Sequence, residues 1–545
     1  MKSILTLLCL LFYSLSYAQQ DRYVIELSDK GNSIYSLNNP QDFLSTRSIN
    51  RRLTQGIAID SSDLPISPVY INAIANTGAQ ILNQSKWLNT VTIFTTNPTV
   101  LSSIQSLPFV NNVKNVGRFS SNNPYPSKKL FENISPLKTI HPFTASVLNY
   151  GPSERQIKMM NGDALHDLGF RGNGMLIAVI DAGFFFSDSM IVFDSLRANN
   201  QIIATYDFVD RETNVYNDHM HGSYVLSTMA GYWEGNIIGT APKASYLLLR
   251  SEDVNSEFII EEYNWASAAE FADSAGADII NSSLGYTEFN DSTQNHVHAD
   301  QDGLTTPVSR AAGMASLKGL VVCNSAGNEG NSPWQKIMCP ADAINILAVA
   351  AVDSAGVYAS FSSRGHSADG RIKPDVAAMG LQTIVASPFA PIVHGGNGTS
   401  FASPLMAGMA ACLWQAYPNK SNSTIMQAIR SSASQFPNPD SLLGYGIPNF
   451  NQAFNALGIP DVSGSGNDWL IYPIPFQESI NVHSLSNDLS AEITMFDMTG
   501  RLIFQSQFAF HQSVLQIPTS PFSKGTYIIQ YRSDSVLLRK KIIKL

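Results

Sequence analysis

Short, uninterrupted apolar runs constrain the fold of this chain more than any other feature of its sequence. Residues 176–180 form one such run and residues 343–351 another, and the stretch 257–275 between them predicts a helix. Strands that are apolar on both faces belong to parallel sheets, which helices cover on both sides. The alternation of strand and helix signals over residues 151–457 therefore predicts an α/β domain with a largely parallel sheet and helices on both faces.

Three residues of different chemistry predict a catalytic group. Asp181 directly follows the run at 176–180, and ligands in open α/β sheets bind beyond the carboxyl ends of the strands. A serine hydroxyl is a poor nucleophile at neutral pH, so it needs an imidazole to accept its proton and a carboxylate to orient that imidazole. In a group formed by Asp181, His221 and Ser400, the serine would be the nucleophile, the histidine the general base and acid, and the aspartate the orienting group.

The sequence around these residues resembles the three active-site segments of the subtilisin-like (subtilase) peptidase family, in the family's order of Asp, His and Ser. The segments are MLIAVIDAG at 175–183, HGSYVLSTMAG at 221–231 and NGTSFASPLMAG at 397–408. A fourth segment, NSAGNEG at 324–330, resembles the loop that carries the family's oxyanion-hole asparagine. The resemblance implies that Asn328 donates a side-chain hydrogen bond to the oxyanion.

A helix is expected to begin at the nucleophile. Small residues are frequent between Ser400 and residue 411, which suits a helix packed tightly inside the protein. Pro404 is compatible only with the beginning of a helix, so this helix should start close to Ser400 and run toward Tyr417. Its N-terminus would direct free N–H groups and the positive end of its dipole at the reacting carbonyl.

Substrate contacts follow from the same resemblance. Residues 277–285 form an apolar run that ends in small residues, similar to the subtilase strand whose edge pairs with an extended peptide. The resemblance implies that a pocket for the residue before the cleaved bond is bordered by Ser283, Leu284 and Gly285, with Ala326 and Gly327 opposite. Small residues at these positions predict an open pocket.

A metal site is the alternative interpretation of His221, since His219 and His298 could form a cluster with it. His219 has no cysteine or carboxylate partner at a familiar zinc spacing, so we expect it at the surface. The family often binds structural calcium, but the position that aligns with a common ligand is Met190. We therefore expect no cofactor, and structural calcium stays open without assigned ligands.

The N-terminus predicts that the protein is exported, and the cysteines are interpreted in that light. Residues 1–18 predict a signal peptide, because an apolar run at 4–15 follows Lys2 and an A-x-A-like site follows the run. An oxidising destination permits a disulfide, and Cys323 with Cys339 is the favoured pair because both flank the oxyanion loop. Cys412 lies in the small-residue helix and is predicted to be a buried free thiol.

Residues 19–120 predict a separate small α/β unit. Strands are expected at 23–27, 91–94 and 110–113, and a helix at 98–109. In its position before a subtilase catalytic segment, this unit is similar to the family's propeptide, which assists folding and occupies the active site until it is cut away. The basic segment 43–52 is either a processing site or, as we favour, a solvated helix face.

The activation cleavage is expected within a linker at 121–150. Ser, Asn and Pro are frequent from residue 120 to residue 136, and exposed segments of this composition are the easiest to cut by proteolysis.

The C-terminal residues predict a third unit, at 468–545, after a flexible linker at 458–467. Its apolar and polar residues alternate as in antiparallel strands joined by turns. The unit resembles the C-terminal sorting domain of type IX secretion cargo, a β-sandwich that the outer-membrane secretion machinery recognises. This implies export through the periplasm to the cell surface or the medium. The alternative is a sandwich that stabilises the enzyme or binds a carbohydrate.

Charge and composition bound the function. The 545 residues carry a net charge of −9 without a basic block, so a nucleic-acid partner is not expected. The sequence predicts a monomeric, secreted serine endopeptidase that acts on proteins or peptides. The alternative is a catalytically silent subtilase scaffold that acts as a surface binding or adhesion protein. Inactive relatives usually lose a triad or oxyanion residue, and this chain retains all four.

Overall fold

The structure is a computed structural model that describes residues 20–31, 33–119, 130, 133–135, 148–458, 469–472, 476–484, 490–509, 515–532 and 537–544. The predicted signal peptide lies outside these residues, as do most of the linker at 121–150 and all of the linker at 458–467 except its first residue. The described residues form an N-terminal unit (20–119), a central unit (148–458) and a C-terminal unit (469–544). A short strand at 133–135 lies between the first two in the sequence.

The N-terminal unit is a four-stranded antiparallel sheet with three helices. Its strands are β1 (Gln20–Leu27), β2 (Gln80–Ser85), β3 (Thr90–Phe94) and β4 (Val110–Phe119), and its helices are α1 (Thr46–Gln55), α2 (Pro68–Ala75) and α3 (Pro98–Gln105). The sheet order is β2-β3-β1-β4. The predicted strands are confirmed, but α3 is shorter than the predicted helix because Pro108 disfavours helical backbone at the residue before it.

The central unit contains the largest sheet and most of the helices. A short strand, β5 (Asn133–Ser135), precedes it in the chain. Its strands are β6 (Leu176–Asp181), β7 (Ile202–Asp207), β8 (Tyr232–Trp233), β9 (Ile237–Ile238), β10 (Ser245–Arg250), β11 (Ile279–Ser282), β12 (Val321–Ser325), β13 (Leu347–Val352), β14 (Val376–Met379), β15 (Thr383–Ala386) and β16 (Val393–Asn397). Its helices are α4 (Glu154–Lys158), α5 (Asp163–Asp167), α6 (Asp194–Ala198), α7 (His221–Ala230), α8 (Ile260–Ala275), α9 (Pro307–Leu317), α10 (Thr399–Ala416), α11 (Asn422–Ser431) and α12 (Phe450–Ala456).

Seven strands of the central unit form a parallel sheet in the order β14-β13-β12-β11-β6-β10-β7. On β6, Ile177 and Val179 pack in a buried cluster with residues of α7 and α10, while Ala178 and Ile180 pack in a second cluster with residues of α8 and α9. Because side chains alternate across a strand, the two clusters lie on opposite faces of the sheet. The predicted parallel sheet with helices on both faces is confirmed.

Two elements of the central unit begin later than the sequence predicts. Helix α8 begins at Ile260 and strand β13 at Leu347. In both cases a turn precedes the element, because the N–H of Glu261 donates to the carbonyl of Phe258 and the N–H of Ala343 donates to that of Pro340.

Within the parts of the chain that the structure covers, none of the helices combines the length and apolar character that crossing a membrane requires.

The predicted disulfide between Cys323 and Cys339 is wrong. Both thiols are free and fully buried. Cys323 lies in the cluster with α10, whereas Cys339 lies in the cluster with α8 and α9, so the two side chains are on opposite faces of the sheet. Cys412 is a buried free thiol, as predicted, and its Sγ lies 3.1 Å from the carbonyl oxygen of Thr240.

The basic segment at 43–52 is not a solvated helix face, although α1 confirms that it is helical. Arg51 and Arg52 are buried, and both guanidinium groups bind the carboxylate of Asp273 on α8. Arg52 also binds Asp63 of the N-terminal unit at 2.8 Å. The segment therefore holds the N-terminal unit against the central unit through buried ion pairs, which a charge pattern alone does not distinguish from an exposed basic face.

The C-terminal unit is a β-sandwich. Its strands are β17 (Trp469–Tyr472), β18 (Ser479–Ser484), β19 (Ser490–Asp497), β20 (Leu502–Ala509), β21 (Leu515–Pro518), β22 (Gly525–Arg532) and β23 (Leu537–Lys544). They form one sheet in the order β17-β18-β21 and another in the order β20-β19-β22-β23, with antiparallel pairing in both. Ile480 of the first sheet and Ile529 of the second share one buried cluster, so the predicted sandwich is confirmed.

Candidate active site

The side chains of Asp181 and His221 form a buried pair at the carboxyl end of the central sheet. Asp181 is the last residue of β6 and His221 the first residue of α7. Asp181 Oδ1 lies 2.6 Å from His221 Nδ1 and also accepts the N–H of Ala182 at 2.8 Å. Because a carboxylate accepts hydrogen bonds and does not donate them, Nδ1 carries the proton in this pair. The neutral imidazole therefore has its basic nitrogen at Nε2.

Glycine allows α7 to begin this close to the end of β6. The N–H of Gly222 donates to the carbonyl of Gly183 at 3.0 Å. A Cβ atom at position 222 would lie 2.3 Å from that oxygen, which no side chain can tolerate. The glycine after the histidine thus fixes the approach of His221 to Asp181.

Ser400 lies in the first turn of α10, and Phe401 after it places its ring 6.3 Å from the ring of His221. The Ser400 hydroxyl lies 2.9 Å from the carbonyl oxygen of Leu130 and 3.3 Å from that of Ser283. The helix runs from Thr399 to Ala416, which confirms the prediction. The structure thus brings Asp181, His221 and Ser400 to one end of the sheet, although the serine hydroxyl is directed at Leu130.

Pro404 has a local consequence at the serine. Because proline has no N–H, it leaves the carbonyl of Ser400, four residues earlier, without its helical hydrogen bond. The hydroxyl of Ser283 donates to that carbonyl at 2.8 Å instead. The start of α10 is thereby attached to the segment after β11, which is the predicted substrate-binding edge.

The amide of Asn328 has a fixed orientation beside Ser400. Its Oδ1 accepts both the N–H and the hydroxyl of Thr399, each at 2.9 Å. A backbone N–H can only donate, so the atom that it contacts must be the amide oxygen. Nδ2 is then the end of the amide that can donate to an oxygen atom of a bound molecule. Thr399 lies within the serine segment, but only the structure indicates that it orients Asn328.

Ser400 and Asn328 line a cavity of about 380 Å³. Its other lining residues are Leu130, Glu257, Ser283, Leu284, Gly285, Thr287, Glu288, Ser325, Gly327, Glu329, Ser332, Pro333, Trp334, Met338 and Thr399. Four of the five predicted substrate-binding residues are among them. The fifth, Ala326, is fully buried in a small cluster with Ile337, Ala341 and Ala348.

Two glycines of the cavity wall have no space for a side chain. Gly327 has a φ of +109°, and a Cβ atom there would lie 2.6 Å from Cγ of Met338. A Cβ atom at Gly285 would lie 2.7 Å from Cβ of the same methionine. Met338 therefore packs directly against both segments of the wall. No motif surrounds Met338 in the sequence, so its place in the wall could not be predicted.

The other histidines do not form a metal site with His221. His219 is half-buried, which corrects the prediction of a surface position, and its Nδ1 accepts the N–H of His221 at 3.3 Å. Burial, and then the nearby charge of His221, lower the pKa of His219 to about 4. His298 binds the side chain of Gln301 at 2.8 Å and does not line the cavity.

Calcium binding does not fit the loop at Met190. This side chain is buried in the cluster with α7 and α10, and it offers no oxygen ligand. A second possibility is the group of Asp207, Asp210 and Asp218, whose carboxylate oxygens lie within 4.8 Å of one another. Arg250 Nη1 binds all three, at 2.6, 2.7 and 3.2 Å, so a guanidinium already balances their charge.

A further acidic group offers oxygen ligands, the type that calcium prefers. Carboxylate oxygens of Glu252, Glu257 and Glu261 lie within 4.8 Å of one another. Glu252 accepts the hydroxyl of Tyr286, and Arg22 of the N-terminal unit interacts electrostatically with Glu261. These three residues could hold a cation.

Comparisons with known proteins identify the family of each part of the chain. The sequence model of the Subtilase family matches residues 172–446. Models of the peptidase S8 propeptide domain of Bacteroidota and of the secretion system C-terminal sorting domain match residues 22–129 and 470–545. The sorting domain directs such a chain through type IX secretion to the cell surface or the extracellular space.

The curated relatives of this chain include two subtilisins. Subtilisin E of Bacillus subtilis (strain 168) is 31% identical over 302 residues, which cover 54% of this chain and 70% of that protein. Subtilisin of Bacillus pumilus is 31% identical over 283 residues, which cover 51% of this chain and 90% of that protein. A crystal structure of MycP1 from the ESX-1 type VII secretion system has a TM-score of 0.44 and 21% identity, over 60% of this chain and 91% of that one. With the family match, the sequence identity and the parallel sheet together, the chain belongs to the subtilase family.

Proposed function

We propose that this protein is a secreted serine endopeptidase that hydrolyses peptide bonds through Ser400, His221 and Asp181. The observation that carries the proposal is the buried Asp181–His221 pair, 2.6 Å apart, at the same end of the sheet as a serine in the first turn of α10. Such a pair is what a serine nucleophile requires, because the imidazole must accept its proton and a carboxylate must orient that imidazole.

The reaction follows from the proton positions. Ser400 Oγ attacks the carbonyl carbon of the substrate while His221 Nε2 accepts the hydroxyl proton, and Asp181 stabilises the imidazolium through Nδ1. Asn328 Nδ2 and the N–H of Ser400 in the first turn of α10 stabilise the oxyanion. His221 then gives its proton to the leaving amine. Water repeats the sequence in reverse roles and releases the acyl group from Ser400.

The other two units fit a secreted zymogen. We propose that residues 1–18 are a signal peptide, residues 19–120 a propeptide, and residues 121–150 the linker that is cut on activation. The catalytic domain then spans 151–457, and a linker at 458–467 joins it to the sorting domain at 468–545. In this proposal the protein is a monomer, its partners are protein or peptide substrates and the outer-membrane secretion machinery, and no nucleic acid takes part. No specific observation favours the adhesion alternative.

The test compares Ser400→Ala with Ser431→Ala, which makes the same substitution at an exposed position on the last residue of α11. Both proteins are purified and given denatured protein as the substrate. Ser400→Ala should lose hydrolysis, because the nucleophile is gone, and Ser431→Ala should retain it. Undiminished proteolysis by Ser400→Ala would refute the proposal.

A further inference from the structure

One residue between the N-terminal and central units lies at the serine itself. The carbonyl oxygen of Leu130 is 2.9 Å from Ser400 Oγ. The Leu130 side chain is 7% exposed, lines the cavity and belongs to the same buried cluster as Leu284. A leucine side chain is thus held against the predicted substrate-binding segment, with its carbonyl at the hydroxyl that is proposed to attack.

The chain just after Leu130 is also held by the central unit, at residues 133–135. Strand β5 pairs antiparallel with β16, in the register Asn133↔Asn397, Ile134↔Gly396 and Ser135↔Gly395. Only Gly398 and Thr399 separate β16 from Ser400. Addition of an extended segment to a strand edge is a general mode of peptide recognition. The chain is therefore bound on both sides of one carbonyl group.

We propose that the Leu130–Phe131 bond is the one that Ser400 cuts when the protein matures, an inference that rests on the proposed function. Ser400 Oγ forms a bond to the Leu130 carbonyl carbon, and its proton passes to His221. The bond to the Phe131 nitrogen breaks, and that nitrogen takes the proton from His221. Water then hydrolyses the ester, which returns the hydroxyl to Ser400. The products are a chain that ends in the Leu130 carboxylate and a mature chain that begins at the Phe131 amine.

The residues that line the cavity also predict which substrates the enzyme prefers. Three carboxylate residues, Glu257, Glu288 and Glu329, line the cavity that Leu130 borders. A buried aliphatic side chain is accommodated beside Leu284, whereas an acidic side chain would meet like charges. The enzyme should therefore prefer peptides with an aliphatic residue before the cleaved bond and reject those with an acidic one.

The first test follows the full-length precursor. We expect the mature wild-type protein to begin at Phe131 by mass spectrometry. Leu130→Asp should mature at least about tenfold more slowly, and Leu130→Met at a rate close to wild type. Leu137→Asp makes the same change at another leucine of the linker and should not slow maturation. A first cut at any other bond in the wild type, or maturation of Leu130→Asp at the wild-type rate, would overturn the inference.

The second test does not depend on folding of the variants. A synthetic peptide with the sequence of residues 123–138 is incubated with the mature wild-type enzyme, beside the same peptide carrying Leu130→Asp. The first should be cut between Leu130 and Phe131, and the second at least about tenfold more slowly. Cleavage of denatured protein without cleavage at this bond would overturn the inference alone. Failure to cut either substrate would overturn the proposed function, and the inference with it.

Discussion

The ion pairs between α1 and α8 provide a prediction whose size follows from burial. Asp273 on α8 is 0% exposed, and it binds Arg51 and Arg52 of α1, with Lys86 at 3.7 Å. Removing one partner of a buried pair typically costs about 3–5 kcal/mol, because the remaining charges are left without compensation. Asp273→Asn leaves the buried guanidinium group of Arg51 in that situation, whereas Arg52 keeps its pair with Asp63. The equilibrium constant for the opening of α1 away from the central unit should therefore rise by about 100- to 3,000-fold.

Amide hydrogen exchange measures this opening directly in the uncut chain. The Ser400→Ala background keeps the precursor intact, and the amides of Thr46–Gln55 report on α1. Asp273→Asn should raise their exchange rates by about 100-fold or more, because local opening controls exchange. The matched control is Glu26→Gln, which removes an ion pair with Lys114 that is half-exposed. That pair should contribute about 1 kcal/mol or less.

Two results would refute the reasoning. One is unchanged exchange in α1 of the Asp273→Asn protein, and the other is an effect no larger than that of Glu26→Gln. Once the N-terminal unit has been removed, the mature Asp273→Asn enzyme should retain its proteolytic activity, because Asp273 has no contact with the cavity at Ser400.

Three further predictions concern catalysis, acid and export. Asn328→Ala should lower kcat by about 100- to 1,000-fold with little change in KM, the size measured for such a donor in a subtilisin, whereas steady-state kinetics of Asn331→Ala should match wild type. Burial raises the pKa of Asp273, but the charges of Arg51, Lys86 and Arg52 outweigh it and hold that pKa below its ordinary value. Because the pKa of Asp273 is lower in the folded than in the unfolded protein, its contribution to stability is present above the unfolded pKa and is lost as the pH falls through the folded pKa. The protection factors of the α1 amides, which correct exchange for its intrinsic pH dependence, should therefore be constant at neutral pH and fall below about pH 4. Deleting the residues after 467 should leave an active enzyme that fractionation finds in the periplasm, and normal appearance in the medium would exclude a sorting role.

The sequence was sufficient where chemistry is concentrated in contiguous segments. The run at 176–180 predicted the central strand, and the residue after it proved to be the buried partner of His221. The start of α10 at Thr399 followed from Pro404 and the small residues around it. In these cases one short segment contains both the element and the residue that it positions.

Other features depend on contacts that no local pattern records. Arg51 and Asp273 are 222 residues apart, so the basic segment could not be distinguished from an exposed face. Cys323 and Cys339 flank one loop in the sequence, but the sheet lies between them. The position of Leu130 depends on its contacts with Ser400 and with the cluster that contains Leu284, and no hydrophobic pattern in the sequence around it indicates them.

The central claim is that Ser400 is the nucleophile, and covalent labelling tests it most directly. The mature wild-type enzyme is treated with a serine-directed phosphonate, digested with another protease and analysed by tandem mass spectrometry. A single adduct on Ser400, formed in parallel with loss of proteolytic activity, is the predicted result. Complete inactivation with the adduct on another residue, or full labelling of Ser400 with activity unchanged, would contradict the account.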